Sequence, residues 1–237
     1  MKHLKKVLLF IILLSYESYS QTVPEGSGQI KVYDSYQPAA GSSTGEKNKI
    51  SINPFGILIG DYPLYYERMF GNTFTVELGV GLTYENYVGN LTNNLDGANS
   101  DYHRNFKLGS TYSISPKIYL DDDNFEGSYL CVVYRHRIYN AEVVQYYDTK
   151  LDTPMKEYNQ LNSFTFNYGY VMHLGKGFLL DYYIGVGIRT QTLSKVNAEY
   201  VGSNGYPNYV STYTFTTEKS KKTWPTGMWG IKLSYSF

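Results

Sequence analysis

Between Phe74 and Tyr84 every second residue is large and apolar: Phe74, Val76, Leu78, Val80, Leu82 and Tyr84. The residues between them, Thr75, Glu77, Gly79, Gly81 and Thr83, are small or polar. An amphipathic helix would repeat its apolar residues every three or four positions. Period two instead gives a strand with two chemically different faces. The pattern returns at Phe164–Met172, at Phe178–Ile188 and at Trp229–Phe237. Noisier versions run over Phe106–Leu120 and Tyr129–Tyr139, and shorter ones over Ile50–Phe55 and Leu64–Phe70. These eight stretches make the chain all-β.

The connections between them alternate in length. Gly71-Asn72, Asp121–Gly127 and Gly175-Lys176-Gly177 are short, whereas Asn90–Arg104, Tyr147–Gln160 and Ser194–Thr223 are long and polar. The first outer connection, near Gly60-Asp61, is the short exception. In an up-and-down barrel all short turns fall at one end and all long connections at the other, which this order satisfies. A three-residue loop at Gly175-Lys176-Gly177 places Leu174 opposite Phe178 and Met172 opposite Leu180 on the greasy face. The same register sets His173 opposite Leu179 and Thr165 opposite Gly187 on the other face.

A soluble barrel and a transmembrane one both alternate, and they differ in which face points inward. The greasy face here carries large residues. The other carries Gly, Ser and Thr with charges of both signs: Glu77, Lys107, Lys117, Arg135, Arg137, Asp181, Arg189 and Lys232. An eight-stranded interior is just wide enough for its side chains. Paired charges suit such an interior, and lone charges do not suit a soluble core. Those eight residues are therefore the expected interior polar network. Tyr84, Tyr87, Trp224 and Trp229 fall near strand ends, where interfacial girdles sit. The expected fold is an eight-stranded antiparallel up-and-down transmembrane β-barrel with short periplasmic turns and long external loops.

The first 20 residues read as a cleavable leader. Lys2, Lys5 and Lys6 precede an unbroken apolar run, Val7–Leu14, and Ser18 and Ser20 stand before Gln21. The run is too short to cross a bilayer as a helix. The segment carries three lysines and one glutamate, so of 21 basic and 21 acidic residues the remainder keeps 18 and 20. Residues 21–47 are rich in Gly, Ser, Pro and charge, and read as a flexible lead-in to a barrel spanning 48–237.

The balance of 21 basic and 21 acidic residues gives no electrostatic case for a nucleic-acid partner, which would need a basic face. The lone Cys131 excludes an internal disulfide or a cysteine-based zinc site. Three histidines remain beyond the leader. His103 stands beside Asp101 and Arg104 in a polar connection, His136 falls on the greasy parity, and His173 lies near a short turn. The Asp101–His103 pair has the chemistry of an acid and base but reads as a solvated loop. Neither His136 nor His173 has a serine placed as a nucleophile to its base. Asp121-Asp122-Asp123-Asn124 lacks the ligand spacing and closing carboxylate of a calcium loop. No catalytic, cofactor-binding or metal-ligating residue is assigned.

The ending Trp229-Gly-Ile-Lys-Leu-Ser-Tyr-Ser-Phe237 resembles the C-terminal insertion signal of Gram-negative outer-membrane barrels. Trp229, Ile231, Leu233, Tyr235 and Phe237 carry that likeness. The stretch from Ile50 through Asn53-Pro54-Phe55, Tyr65-Tyr66-Glu67-Arg68 and Val76-Glu77-Leu78-Gly79-Val80-Gly81 is similar to the opening hairpins of OmpA/OmpX-like barrels. In particular it resembles an uncharacterised outer-membrane family with a "YER…ELG.G" opening. The likeness covers nearly all of residues 48–237. It implies an outer-membrane destination, to which the leader, with its expected cleavage near Ser20/Gln21, would export the chain. It also implies contact with outer-membrane lipid and lipopolysaccharide, and handling by the barrel assembly machinery during insertion.

The expected role is a small non-enzymatic barrel, structural or adhesive through its external loops. A narrow passive channel and a lipid A-modifying enzyme are the alternatives. Val196–Val201 and Tyr209–Thr217 alternate again around Gly202–Gly205, dominated by Thr and Tyr, and read as a protruding hairpin. Loop 195–222 is thus the expected site for a surface ligand, with Lys219, Lys221 and Lys222 near its base facing lipopolysaccharide phosphates.

Overall fold

The computed structural model describes residues 45–85, 102–121, 125–146, 149–203 and 211–237, all within one compact unit, Ala39–Phe237. Its strands are β1 (Asn48–Ile52), β2 (Asp61–Phe70), β3 (Phe74–Thr83), β4 (Tyr102–Lys107), β5 (Gly109–Tyr119), β6 (Gly127–Tyr146), β7 (Thr149–Gly175), β8 (Phe178–Ser203) and β9 (Ser211–Ser236). All nine belong to one antiparallel sheet, in the order β4-β6-β5-β3-β2-β1-β9-β8-β7. A further pairing of β6 with β7 closes that sheet into a ring. The leader, the lead-in up to residue 44 and most of the Asn90–Arg104 connection lie outside the described residues, as does the tip of the 195–222 loop.

Alternation becomes two faces as the period-two reading requires. Along β2 the burial alternates strictly, with Asp61, Tyr65, Glu67 and Met69 inward and Tyr62, Leu64, Tyr66 and Phe70 outward. The small, polar face of β3, β5, β7 and β8 is likewise the inner one, and the large apolar residues point out. Val186 and Trp229 are each 68% exposed. Inward glycines make room for inward tyrosines. A Cβ on Gly79 would lie 2.7 Å from the Tyr65 ring, and one on Gly230 would lie 2.7 Å from that of Tyr183.

Four local expectations are corrected. Where one strand was expected over Phe106–Leu120, two form: the chain breaks at Leu108, and β4 and β5 pair with successive stretches of β6. The expected strand Ile50–Phe55 stops at Ile52, since Asn53 caps a 3-10 helix, Pro54–Ile59, through a bond from the Gly56 amide to its side chain (3.2 Å). Proline is favoured at a helix start, where its missing N–H is not needed. Tyr147–Gln160, expected as a long loop, is strand from Thr149 onward and pairs with β6. Lys49, left out of the expected interior charges, is a fully buried residue of β1.

The hairpin between β7 and β8 differs by one residue from the expected register. His173 does stand opposite Leu179, Met172 opposite Leu180 and Thr165 opposite Gly187. Gly175, however, takes the place expected for Leu174 opposite Phe178, with the register shift between His173 and Gly175. The loop therefore has two residues, Lys176 and Gly177, with φ of 53° and 80°. Positive φ at both positions is the turn whose twist matches that of the strands. Gly177 also abuts the chain terminus, and a Cβ there would meet the Ser236 carbonyl oxygen at 3.0 Å. Gly177→Ala should cost about 1–2 kcal/mol, read as a lower urea midpoint with unchanged slope.

Candidate functional site

The interior is where sequence-remote residues meet. Glu67 on β2 and Glu77 on β3 stand directly opposite each other. Like charges in that relation repel, and the repulsion is offset by Lys117 on β5, whose Nζ lies 2.8 Å from a carboxylate oxygen of each. Lys49 on β1 holds Glu67 from the other side at 2.9 Å, and Lys232 on β9 reaches Glu77 at 2.6 Å. Asp181 on β8 completes the group, 3.7 Å from Lys117 and directly opposite Lys232 in register. Three lysines thus face three carboxylates, contributed by six strands.

Hydroxyl groups satisfy most of the remaining oxygens. Thr75 and Tyr119 donate to Glu67 at 2.6 and 3.1 Å, and Tyr129 donates to Asp181 at 2.6 Å. The ammonium groups also sit over aromatic faces: Lys49 over Phe125 (5.1 Å), Lys117 over Tyr129 (4.8 Å) and Lys232 over Tyr65 (4.2 Å). Towards the short-turn end Phe125, Tyr119, Met69, Val171 and Leu179 pack into an apolar floor. Beside the charges a cavity of about 10 Å³, lined by Lys117, Asn167 and Lys232 among others, has room for about one water.

A second group lies farther from the short turns. Arg137 Nη1 is 3.6 Å from Asp61 Oδ2, and Arg135 donates to the Tyr65 hydroxyl at 3.0 Å. Arg189 is half-buried on the same inner face. Beyond the ring, β4, β6 and β7 face the β8–β9 ribbon. Arg104 binds Glu157 at 2.7 Å, and the other Glu157 oxygen accepts from the Val196 amide at 2.8 Å. The Tyr102 hydroxyl accepts from the Ala198 amide at 3.0 Å, and Tyr146 packs on Tyr213 and Phe215.

Of the eight residues expected inside, Glu77, Lys117, Asp181 and Lys232 form the central network, and Arg135, Arg137 and Arg189 the second group. Lys107 belongs to neither. It sits at the end of β4, 51% exposed, paired with Glu142 at 3.1 Å. Its strand breaks one residue later, so the parity carried back from β5 does not place it inside. Sequence reading missed Lys49, Glu67, Asp61, Tyr119 and Tyr129. Odd parity along β2 was the available signal for Glu67, masked because Tyr65, Tyr66 and Met69 put large residues on both faces.

The histidines are scattered. His103 is exposed on β4 rather than in a loop, and His173 sits near the β7 end. His136 points outward, stacked on Tyr112 at 4.6 Å, with Nδ1 2.7 Å from Asn162 Oδ1. Among the terminal residues, Trp229, Leu233, Tyr235 and Phe237 are exposed on the outer face and Ile231 is half-buried. Phe237 exchanges backbone bonds with Asn48 at 2.9 and 3.1 Å, which seals the first strand to the last.

No family model matches this chain, and neither the curated proteins nor the solved structures searched contain a match.

Removing one partner of a buried pair costs far more than removing an exposed one. Glu67→Ala, which leaves buried Lys49 without its carboxylate and takes one of two close carboxylates from Lys117, should lose about 3–5 kcal/mol. Lys107→Ala should lose less than about 1 kcal/mol. Chemical unfolding of the two variants beside the parent chain measures both.

Proposed function

We propose that the chain is an outer-membrane β-barrel with a structural or surface-binding role, and that the outer ribbon is its surface for an external ligand. One observation carries this reading. Large apolar side chains are exposed around the outer face while charges fill the inside, the reverse of a protein dissolved in water. Strand lengths support it. A transmembrane strand needs about 9–11 residues, and β2, β3 and β5 have 10, 10 and 11. Taking β4 and β5 as one interrupted strand leaves eight positions around the barrel.

The partners in this reading are outer-membrane lipid and lipopolysaccharide. Lys219, Lys221 and Lys222 are exposed on β9, on the long-connection side of the apolar belt. At 26 residues each, β8 and β9 run to more than twice a membrane span. Their extension beyond it is the surface for a ligand. The barrel assembly machinery is the expected partner during insertion. A channel is the weaker reading, because the bridged charges and the water-sized cavity occupy the lumen.

The membrane reading is tested by fractionation followed by electrophoresis of unheated and boiled samples. A shifted band in the outer-membrane fraction is expected, and an unshifted soluble protein would overturn the reading. Removing residues 195–222 should leave the shift intact, since the charge network lies below them; its loss would mean that the ribbon is needed to fold. Planar-bilayer recording should give no stable conductance, and regular steps would make the channel the correct function. Mass spectrometry of lipid A after expression should show no new modification.

A further inference from the structure

Three arginines line one wall of the ring towards its long-connection end. Arg135 and Arg137 are neighbours on the inner face of β6. Arg135 stands opposite Ser163 on β7, which stands opposite Arg189 on β8. Arg135 and Arg189 therefore share a row two strand spacings wide, roughly 10 Å between backbones. The acid facing them is Asp61, across the ring on β2, 3.6 Å from Arg137. Arg135 is taken up by the hydroxyls of Tyr65 and Tyr183. Among the described residues, the charged groups nearest Arg189 are the other two arginines.

Among the described residues, the central network balances three cations with three anions, but this group sets three cations against one. The deficit also shows in the hydrogen bonding. Among the described residues, Nε of Arg137 and Nε of Arg189 are buried without a partner, as is Oδ1 of Asp61. Arg137 as a whole is 5% exposed. Buried charge that lacks a counter-charge is strongly destabilising, and buried donors are normally satisfied. A guanidinium presents a planar fork of N–H groups that fits the oxygens of phosphate or carboxylate. Arg189 is only half-buried, so solvent reaches the group, while the balanced lysine network fills the ring on its short-turn side.

We propose that Arg137 and Arg189 bind a small tetrahedral oxyanion of the phosphate class inside the ring, with Arg135 adding positive potential. The bound anion neutralises the excess charge and accepts from the two unpartnered Nε groups. Asp61 opposes it, so the site binds more weakly than a purely basic one would. This site belongs to the ring interior and is independent of what surrounds the outer face.

The test is calorimetric titration of the folded full chain, dialysed free of phosphate, with inorganic phosphate at constant ionic strength and chloride as the comparison. One saturable site is expected, at least tenfold tighter for phosphate than for chloride. Arg189→Gln should weaken it tenfold or more, and Lys107→Gln should leave it unchanged. Asp61→Asn removes the opposing charge and should tighten binding several-fold, which keeps the proposal falsifiable if the arginine variant does not fold. Absence of saturable binding, equal affinity for chloride, or weaker binding in Asp61→Asn would overturn it.

Discussion

Two glutamates directly opposed on neighbouring strands would push β2 and β3 apart, and Lys117 is what lets them stay together. Its ammonium lies 2.8 Å from each carboxylate, and Lys49 and Lys232 reach the same pair from β1 and β9. These are the strands through which the last part of the sheet meets the first. The ion pairs and the backbone closure at Asn48 and Phe237 therefore brace the same seam. Closing a sheet removes its exposed edges, but it also encloses whatever the inner faces carry. Here many of the enclosed groups are charged, so the fold depends on their pairing as well as on the apolar floor.

The inner contents change with distance from the short turns. An apolar floor around Phe125 gives way to the neutral lysine–carboxylate network, then to the arginine-rich group. Beyond that the ring is replaced by strands that extend past it and touch through Tyr146, Tyr213, Phe215 and the Arg104–Glu157 pair. Rigid, fully paired structure thus supports a more exposed region built from the same strands. Binding surfaces are commonly displayed on a rigid scaffold in this way.

Much of the ring was legible because outward residues are large and inward ones small, a contrast each strand carries by itself. The outer parts of β7, β8 and β9 were harder to read. Thr, Tyr, Asn and Lys there occupy both faces, and period-two alternation fades when neither face must be greasy. That is why the stretch Tyr147–Gln160 reads as loop although it is strand from Thr149 onward. The one-residue difference at Gly175 has a similar origin. Turn residues alone admit a two- or a three-residue loop, and the strands' register selects between them. Of the interior charges, four central residues and three arginines were found by parity. Glu67 was hidden by tyrosines on both faces, and Lys49 by a strand of only five residues.

Alternation along each strand is a local property, since successive side chains point to opposite faces whatever the strand pairs with. The sequence by itself therefore determined the all-β class, the two-faced strands and the side on which most charges would fall. It did not determine partnership. Lys232 and Glu77 are separated by 155 positions and meet at 2.6 Å only because the ring closes. Tertiary structure alone decided that, among the described residues, three lysines and three carboxylates come out balanced while Arg135, Arg137 and Arg189 share one Asp61. Charge pairing in a closed sheet depends on register summed around the whole ring, which no single strand encodes.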